Sequence, residues 1–200
     1  MIKLILFDLG GVLCEDRNDL MLEKWLGKGT GLSRKELHKL VFSGAWHRLD
    51  KRLIKKKDAM KRLRATIPGA KHLGNSFDEI GNFYYPRADV IRYAKQLGKQ
   101  VKIGVFSNMS VDLYKALKKR KFPFDAFDYP FLSFQMGKRK PEAQAYREVE
   151  RRTGLRPGEI LFIDDKERNL DPARLRGWKA IEYHSLNELK NKINKLIVKQ

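Results

Sequence analysis

Several features that this 200-residue chain lacks restrict its class. It has one cysteine, Cys14, and therefore cannot form an internal disulfide. No apolar run approaches the roughly 20 residues that a membrane-spanning helix needs. The opening residues, MIKLILFD, reach an acid too early for the apolar core of a secretory signal. We therefore expect a soluble, cytoplasmic protein with no membrane partner.

Acidic residues are scarce relative to basic ones. The chain has 43 Lys and Arg against 24 Asp and Glu, a formal net charge of +19. Nucleic acid is one interpretation, but the chain shows no zinc-finger spacing, RNA-binding aromatic signature or basic-zipper heptads. A solvated basic surface is a second. A positive field that attracts anionic substrates such as phosphate esters fits better, so we do not expect nucleic acid as the main partner. The sequence does not indicate an oligomeric state.

Apolar runs that end in polar residues predict the strands of a parallel sheet. The first run opens the stretch LILFDLGGVL, and three more lie at 100–108, 159–165 and 178–183. Helical patterns at 89–99, 111–120 and 141–154 separate them, the last with Pro141 at its start. Strands that alternate with helices predict an α/β fold with helices on both faces of the sheet.

The segment from Glu15 to about Pro86 differs from the rest. It has few β-branched runs and shows helical patterns at 19–27, 33–44 and 56–66. Ser33 followed by Glu36 is a capping-box pattern that marks one helix start. We interpret residues 15–86 as a helical insertion after the first strand, with 1–14 and 87–200 forming the core domain.

Polar side chains end the predicted strands. Asp8, Ser107 and the pair Asp164 and Asp165 occupy these ends, and Lys140 precedes the helix before the acidic pair. Ligands bind at the carboxyl ends of strands in open α/β sheets, so we expect these groups to meet. Carboxylates this close would repel one another unless a cation neutralised them, and oxygen ligands suit Mg²⁺ better than zinc. The first aspartate can then act as a nucleophile, with the serine and lysine holding phosphate oxygens.

In this order, the motifs resemble those of the haloacid dehalogenase-like (HAD) hydrolase superfamily across almost the whole chain. FDLGGVL is similar to the first motif, VFSNMS to the second, GKRKPEAQAY to the third and ILFIDDKERNLDPARLRGW to the fourth. FSGAWHRLDKRLIKK (42–56) resembles the cap of a subfamily that includes sugar-phosphate phosphatases, with Trp46 and an acid before an Ile. The resemblance implies a Rossmann-like three-layer core and a small helical cap that closes over the site.

By this resemblance, each matching residue takes a role. Asp8 would form an aspartyl-phosphate. Ser107 would hydrogen-bond the transferring phosphoryl group, with Asn108 beside it. Lys140 would neutralise the nucleophile and the phosphate.

The resemblance also implies a magnesium site. Asp8 and Asp165 would be ligands of Mg²⁺, and Asp164 would bind it directly or through water. Asn169 would orient the acidic pair rather than react.

The chain departs from the family pattern at Gly10. Most HAD phosphatases have an aspartate here, which protonates the leaving group, activates water and ligates magnesium through its backbone carbonyl. Gly10 keeps the carbonyl and loses the proton donor, a contribution typically worth about 10²–10⁴-fold in rate. Water or a cap residue would then have to substitute. Glu15 and Asp16 are nearby acids, and the sequence does not place either at the site.

Three functions stay open at this point. The leading hypothesis is a Mg²⁺-dependent phosphatase of a small phosphorylated metabolite. A 2-haloacid dehalogenase also lacks the second acid of the first motif, but it needs no metal and usually lacks an acidic pair such as Asp164 and Asp165. A catalytically weak HAD domain that acts by binding would agree with Gly10 and with the high positive charge.

Overall fold

A five-stranded parallel sheet forms the centre of the computed structural model, which describes residues 1–26, 31–67 and 76–197. The strands are β1 (Leu4–Phe7), β2 (Cys14–Asp16), β3 (Tyr84–Pro86), β4 (Lys102–Ser107), β5 (Tyr129–Leu132), β6 (Ile160–Asp164) and β7 (Lys179–Glu182). The order in the large sheet is β5-β4-β1-β6-β7, and all neighbours are parallel. The predicted α/β fold is confirmed, with β1 at its centre.

The sequence does not predict the short strands β2 and β3, nor the strand β5 of the large sheet. Strand β5 is only four residues long and contains Pro130, which argues against a central strand because proline cannot donate to the ladder. The structure places β5 at the edge of the sheet, where such a proline is tolerated.

Successive side chains of a strand point to opposite faces of the sheet, so the burial of every residue of β1 shows that both faces are covered at the centre. Leu4 and Leu6 join one hydrophobic cluster, whereas Ile5 and Phe7 join the other. An apolar run with no polar alternation is typical of a parallel strand covered on both faces, and all four residues of β1 are buried.

Some helices cover the two faces of the sheet, and others lie in the insertion. The helices are α1 (Asn18–Leu26), α2 (Arg34–Val41), α3 (Gly44–Asp50), α4 (Lys56–Thr66), α5 (Ala88–Leu97), α6 (Val111–Lys119), α7 (Ser133–Met136), α8 (Ala143–Thr153), α9 (Glu167–Leu175) and α10 (Leu186–Ile197). The predicted start of α8 at Pro141 is two residues early. The Glu142 N–H donates to the Arg139 carbonyl in a turn, and Glu142 itself is not helical, so the helix begins at Ala143.

The insertion leaves and re-enters the core through an antiparallel ribbon of β2 and β3. The Ser33 capping box is present, but the single helix predicted at 33–44 is wrong. Ser43 is extended, so α2 ends at Val41 and α3 begins at Gly44. Apolar side chains of α2, α3 and α4 belong to the same hydrophobic cluster as one face of the sheet. Among the described residues, no helix has the length and apolar character to cross a membrane.

Gly104 allows β4 and β5 to approach closely. A Cβ atom there would lie 2.7 Å from the Tyr129 carbonyl oxygen and 2.8 Å from Leu6 Cδ2. We expect Gly104→Ala to lower the free energy of unfolding by about 1–3 kcal/mol, because the backbone carbonyl cannot move away freely. Urea unfolding measures this change.

Gly158→Ala is the matched control, since a Cβ there meets nothing within 4 Å. It should change stability by no more than about 0.5 kcal/mol. Equal unfolding midpoints for the two variants would contradict the packing argument.

Candidate active site

Asp8 lies directly after the central strand. Its N–H donates to the Ile163 carbonyl at 2.8 Å, and its Oδ1 accepts a hydrogen bond from the Leu9 N–H at 2.7 Å. The chain passes from β1 to β4 on one side of the sheet and reaches β6 on the other. Asp8 is therefore at the point where ligands bind in open α/β sheets.

Lys140 is a buried cation between two carboxylates. Its Nζ lies 3.0 Å from Oδ1 of Asp8 and 2.5 Å from Oδ2 of Asp164, and the residue is only 1% exposed. The ammonium also lies over the rings of Phe106 and Phe162, at 5.3 and 4.9 Å from their centroids. A desolvated ammonium gains from both the carboxylates and the aromatic faces.

The end of β4 fixes the backbone of Lys140. The Asn108 amide accepts from the Lys140 N–H and donates to the Lys140 carbonyl, both at 2.8 Å. Ser107, the last residue of β4, is buried and lines the same cavity as Asp8. The structure thus brings the predicted residues of the second and third motifs to the aspartate of the first.

Three carboxylates form an acidic cluster at the end of β1 and β6. Oxygens of Asp8, Asp164 and Asp165 lie within 4.8 Å of one another. The Asn169 amide donates to both oxygens of Asp164, at 2.9 and 3.0 Å, and the Lys166 N–H donates to one of them at 2.9 Å. Asp164 is therefore held by the protein.

Asp165 is less satisfied. Its Oδ1 is buried and has no hydrogen-bond partner in the described part of the chain, and Lys166 Nζ lies 3.4 Å from its Oδ2. An orphaned carboxylate oxygen within a cluster of three carboxylates fits a divalent cation with oxygen ligands.

Gly11 of the first motif leaves space for Asp165 at this cluster. Gly11 has φ +82°, and a Cβ there would lie 2.3 Å from Cγ of Asp165. The turn is closed by the Cys14 N–H donating to the Leu9 carbonyl and the Gly11 N–H donating to the Cys14 carbonyl. Neither hydrogen bond uses the Gly10 carbonyl.

Burial and neighbouring charges act in opposite directions on these carboxyls. Burial raises the pKa of Asp8 to about 7, although Lys140 opposes the shift. Burial also acts to raise the pKa of Asp164, but the Lys140 ammonium and the Asn169 hydrogen bond outweigh it and lower that pKa. Burial raises the pKa of Asp165. Without a further cation, the cluster does not hold three negative charges easily.

A cavity of about 120 Å³ lies beside Asp8. Asp8, Ser107 and Lys140 lie on its core side. The helical insertion supplies a more aromatic wall, made of His38, Phe42, Trp46, His47 and Asp50. The site therefore lies between the sheet and the insertion.

A buried ion pair joins the insertion to the core. Asp50 Oδ2 lies 3.8 Å from Arg139 Nη2, and the Asp50 carbonyl accepts from Ser133 Oγ at 2.8 Å. Burial raises the pKa of Asp50 to about 7, opposed by Arg139. The sequence does not predict this pair, because only the docking of α3 brings the two residues together. Lys166 is not among the predicted site residues either, although its position directly after the acidic pair was a usable signal.

Comparisons with known proteins identify the family of the chain. The family model for haloacid dehalogenase-like hydrolases matches residues 2–175. The chain belongs to this family. It is similar to a sesquiterpene phosphatase of Aspergillus oryzae, 26% identical over 178 residues that cover 88% of this chain and 86% of the relative.

Solved HAD structures share the fold. A HAD-like family hydrolase of Porphyromonas gingivalis gives a TM-score of 0.80 at 23% identity and covers 100% of both chains. A HAD family enzyme of Bacteroides thetaiotaomicron, solved with magnesium and inorganic phosphate, gives 0.76 at 23% identity, covering 94% of this chain and 99% of that one. These likenesses establish the HAD fold for the chain.

The buried Asp50 predicts a pH dependence of stability. The pKa of Asp50 is raised in the folded state. Between pH 3.8 and about 7, the folded protein therefore holds a proton that the unfolded chain has already lost. The free energy of unfolding falls as pH rises through this window, by up to about 1.4 kcal/mol per pH unit for this group. In Asp50→Asn, we expect the free energy of unfolding to fall less steeply between pH 5 and 7, because about one proton fewer is released on unfolding. Denaturant unfolding at several pH values checks this, and parallel curves for the two proteins would contradict it.

Proposed function

We propose that this HAD hydrolase is a Mg²⁺-dependent phosphatase that acts on a small phosphorylated metabolite through an aspartyl-phosphate intermediate. The observation that carries the proposal is the pairing of a buried nucleophile with a buried cation: Lys140 Nζ lies 3.0 Å from Asp8 Oδ1. The acidic cluster beside this pair and the small cavity above it support the same reaction.

The contacts of Asp8 indicate which oxygen attacks. Oδ1 accepts from the Leu9 N–H and pairs with Lys140, which leaves Oδ2 to form the bond to phosphorus. As that bond forms, the bond from phosphorus to the leaving oxygen breaks. Water then attacks the aspartyl-phosphate, and the bond from phosphorus to Asp8 breaks to release phosphate.

Core residues hold the transferring group. Ser107 donates its hydroxyl to a phosphoryl oxygen, and Lys140 neutralises the phosphate as a point charge. Asn108 lies beside the phosphate and contributes to its binding. Its side-chain amide positions the backbone of Lys140 as well.

Four groups would hold the metal: the carboxylates of Asp8, Asp164 and Asp165 and the carbonyl of Gly10. Asn169 keeps Asp164 oriented through its two hydrogen bonds. Bound there, Mg²⁺ would neutralise charge on the phosphate and on the nucleophile.

Residues 15–86 are proposed as the cap, and 1–14 with 87–200 as the core domain. The cap supplies the aromatic wall of the cavity, including Phe42 and Trp46. Their rings pack edge to face, with centroids 4.9 Å apart. We infer that this wall selects the substrate, because the phosphate contacts all come from the core.

The relatives support a phosphatase reaction. One of them is a sesquiterpene phosphatase, and the Bacteroides thetaiotaomicron enzyme was solved with magnesium and inorganic phosphate. The site supports the alternative of a 2-haloacid dehalogenase less well, because that reaction needs no metal and would give Asp165 no role. A weak HAD domain that only binds would turn over no phosphate ester and would show salt-sensitive binding to duplex DNA or to an acidic protein.

Asp8→Asn tests the nucleophile. We expect the variant to lose at least about 10³-fold in turnover of p-nitrophenyl phosphate with Mg²⁺, because the amide is a poor nucleophile. Release of p-nitrophenol measures the rate. Excess chelator should abolish wild-type turnover.

Asp125→Asn changes an exposed carboxylate on a short 3-10 helix and should keep wild-type activity. Equal rates of p-nitrophenyl phosphate turnover for Asp8→Asn and wild type would contradict the phosphatase mechanism. Turnover of a 2-haloacid in chelator would favour the dehalogenase instead.

Gly11→Ala tests the metal site directly. The added Cβ would push Asp165 away, so we expect Mg²⁺ affinity to fall by at least about tenfold in titration calorimetry. Gly154→Ala is the matched control, because Gly154 also has positive φ but its Cβ would meet nothing within 4 Å. The same loss of affinity in both variants would show that backbone strain, and not the position of Asp165, was measured.

A further inference from the structure

Gly10 has no side chain that could donate a proton. The side chain of another residue lies close to where a Cβ atom of residue 10 would be. A Cβ atom on Gly10 would lie 3.0 Å from Oδ2 of Asp16. Its other near neighbour is the ring of Tyr84, at 3.5 Å. A carboxylate oxygen is therefore present beside Gly10, although it comes from a different element.

The β2–β3 ribbon explains how Asp16 reaches this place. The register of the ribbon pairs Asp16 with Tyr84. Alternation along β2 puts Cys14 and Asp16 on one face and Glu15 on the other. Cys14 is fully buried, whereas Glu15 forms an exposed ion pair with Arg17 at 2.8 Å. Asp16 is thus the acid of β2 on the inward face.

Asp16 is held within the active-site cavity. Its Oδ2 accepts a hydrogen bond from Asn18 Nδ2 at 2.9 Å, and both residues line the cavity together with Asp8. Asn18 Oδ1 is buried without a hydrogen-bond partner in the described part of the chain, so a polar group in the cavity would satisfy it. A carboxylate oriented by a neighbouring amide and open to the cavity is suited to proton transfer.

We propose that Asp16 is the general acid and base of this enzyme, in place of the side chain that Gly10 lacks. This role rests on the proposed phosphatase reaction. As Asp8 bonds to phosphorus and the ester bond breaks, the protonated Asp16 gives its proton to the leaving oxygen, and an alcohol departs. Asp16, now a carboxylate, takes a proton from water as the water oxygen attacks the aspartyl-phosphate. Phosphate leaves, Asp8 is free again and Asp16 is protonated again.

Other groups at the cavity fit this role less well. Asp164 is held by Lys140 and Asn169, and Asp165 belongs to the acidic cluster. His38 and His47 also line the cavity, but the atoms nearest to the missing side chain of Gly10 belong to Asp16 and Tyr84.

The experiment compares a good and a poor leaving group of similar size, p-nitrophenyl phosphate and phenyl phosphate, in Asp16→Asn and wild type. Phenolate needs a proton more than nitrophenolate does, so we expect kcat/KM for phenyl phosphate to fall by about 10²–10⁴-fold. The fall for p-nitrophenyl phosphate should be at least tenfold smaller. With p-nitrophenyl phosphate, Asp16→Asn should also show a burst of about one p-nitrophenol per enzyme, because the aspartyl-phosphate forms but its hydrolysis is slow without a base to activate water.

Two controls separate proton transfer from structure and metal binding. Glu15→Gln makes the same chemical change one residue away on the outer face and should stay within about twofold of wild type on both esters. Mg²⁺ affinity of Asp16→Asn, measured by calorimetry, should also stay within about threefold of wild type. A tenfold loss of that affinity would make Asp16 a metal-site residue and overturn the proposal.

Returning the acid to residue 10 gives a second, independent test. Gly10, unlike Gly11, does not have a positive φ, so it accepts a side chain. We expect Gly10→Asp to restore phenyl phosphate turnover at least tenfold in an Asp16→Ala background, where the competing oxygen is absent. No restoration, together with equal losses on both esters and no burst, would overturn the role of Asp16.

The outcomes for wild type separate the two proposals. If wild type hydrolyses both esters and Asp16→Asn hydrolyses them at the same rates, the result contradicts the role of Asp16 but not the phosphatase function. Wild type that hydrolyses neither ester would contradict the phosphatase function and, with it, this role.

Discussion

The buried ammonium of Lys140 joins the ends of two neighbouring strands, and the geometry of the site depends on it. Asp8 follows β1, Asp164 ends β6, and both carboxylates point to the same cation. A buried carboxylate without a partner is strongly disfavoured, so neither acid is easily kept charged here without the lysine. The Asn108 amide at the end of β4 fixes the lysine backbone, which ties a third strand into the same arrangement.

The insertion forms one wall of the cavity above this arrangement. Its apolar side chains join the cluster beneath one face of the sheet, and its Asp50 meets Arg139 of the core. This wall of the cavity therefore packs continuously with the core. Basic side chains of Arg139, Lys166 and Arg168 line it. The high positive charge of the chain thus extends to the site, where it favours an anionic ligand.

In the first motif, Gly10 has no side chain, and a carboxylate from another element lies beside it. Gly10 leaves an opening beside the nucleophile, and Gly11 leaves room for Asp165. An acid at residue 10 would compete with Asp16 for the same space. In our interpretation, the proton-transfer group has moved from the loop to the ribbon that leads into the cap.

The sequence by itself determined the fold class and most of the candidate site. Buried parallel strands require continuous apolar runs, and polar residues at their ends must converge, so Asp8, Ser107 and Asp164 could be predicted together. The short edge strand β5 could not, since its proline and length argue against a strand. Only the tertiary structure decided which groups enter the site from the insertion. Asp16 and Glu15 are adjacent acids of similar chemistry, and the pairing of β2 with β3 turns one inward and the other to solvent. That choice depends on strand register, which a contact distant in sequence sets.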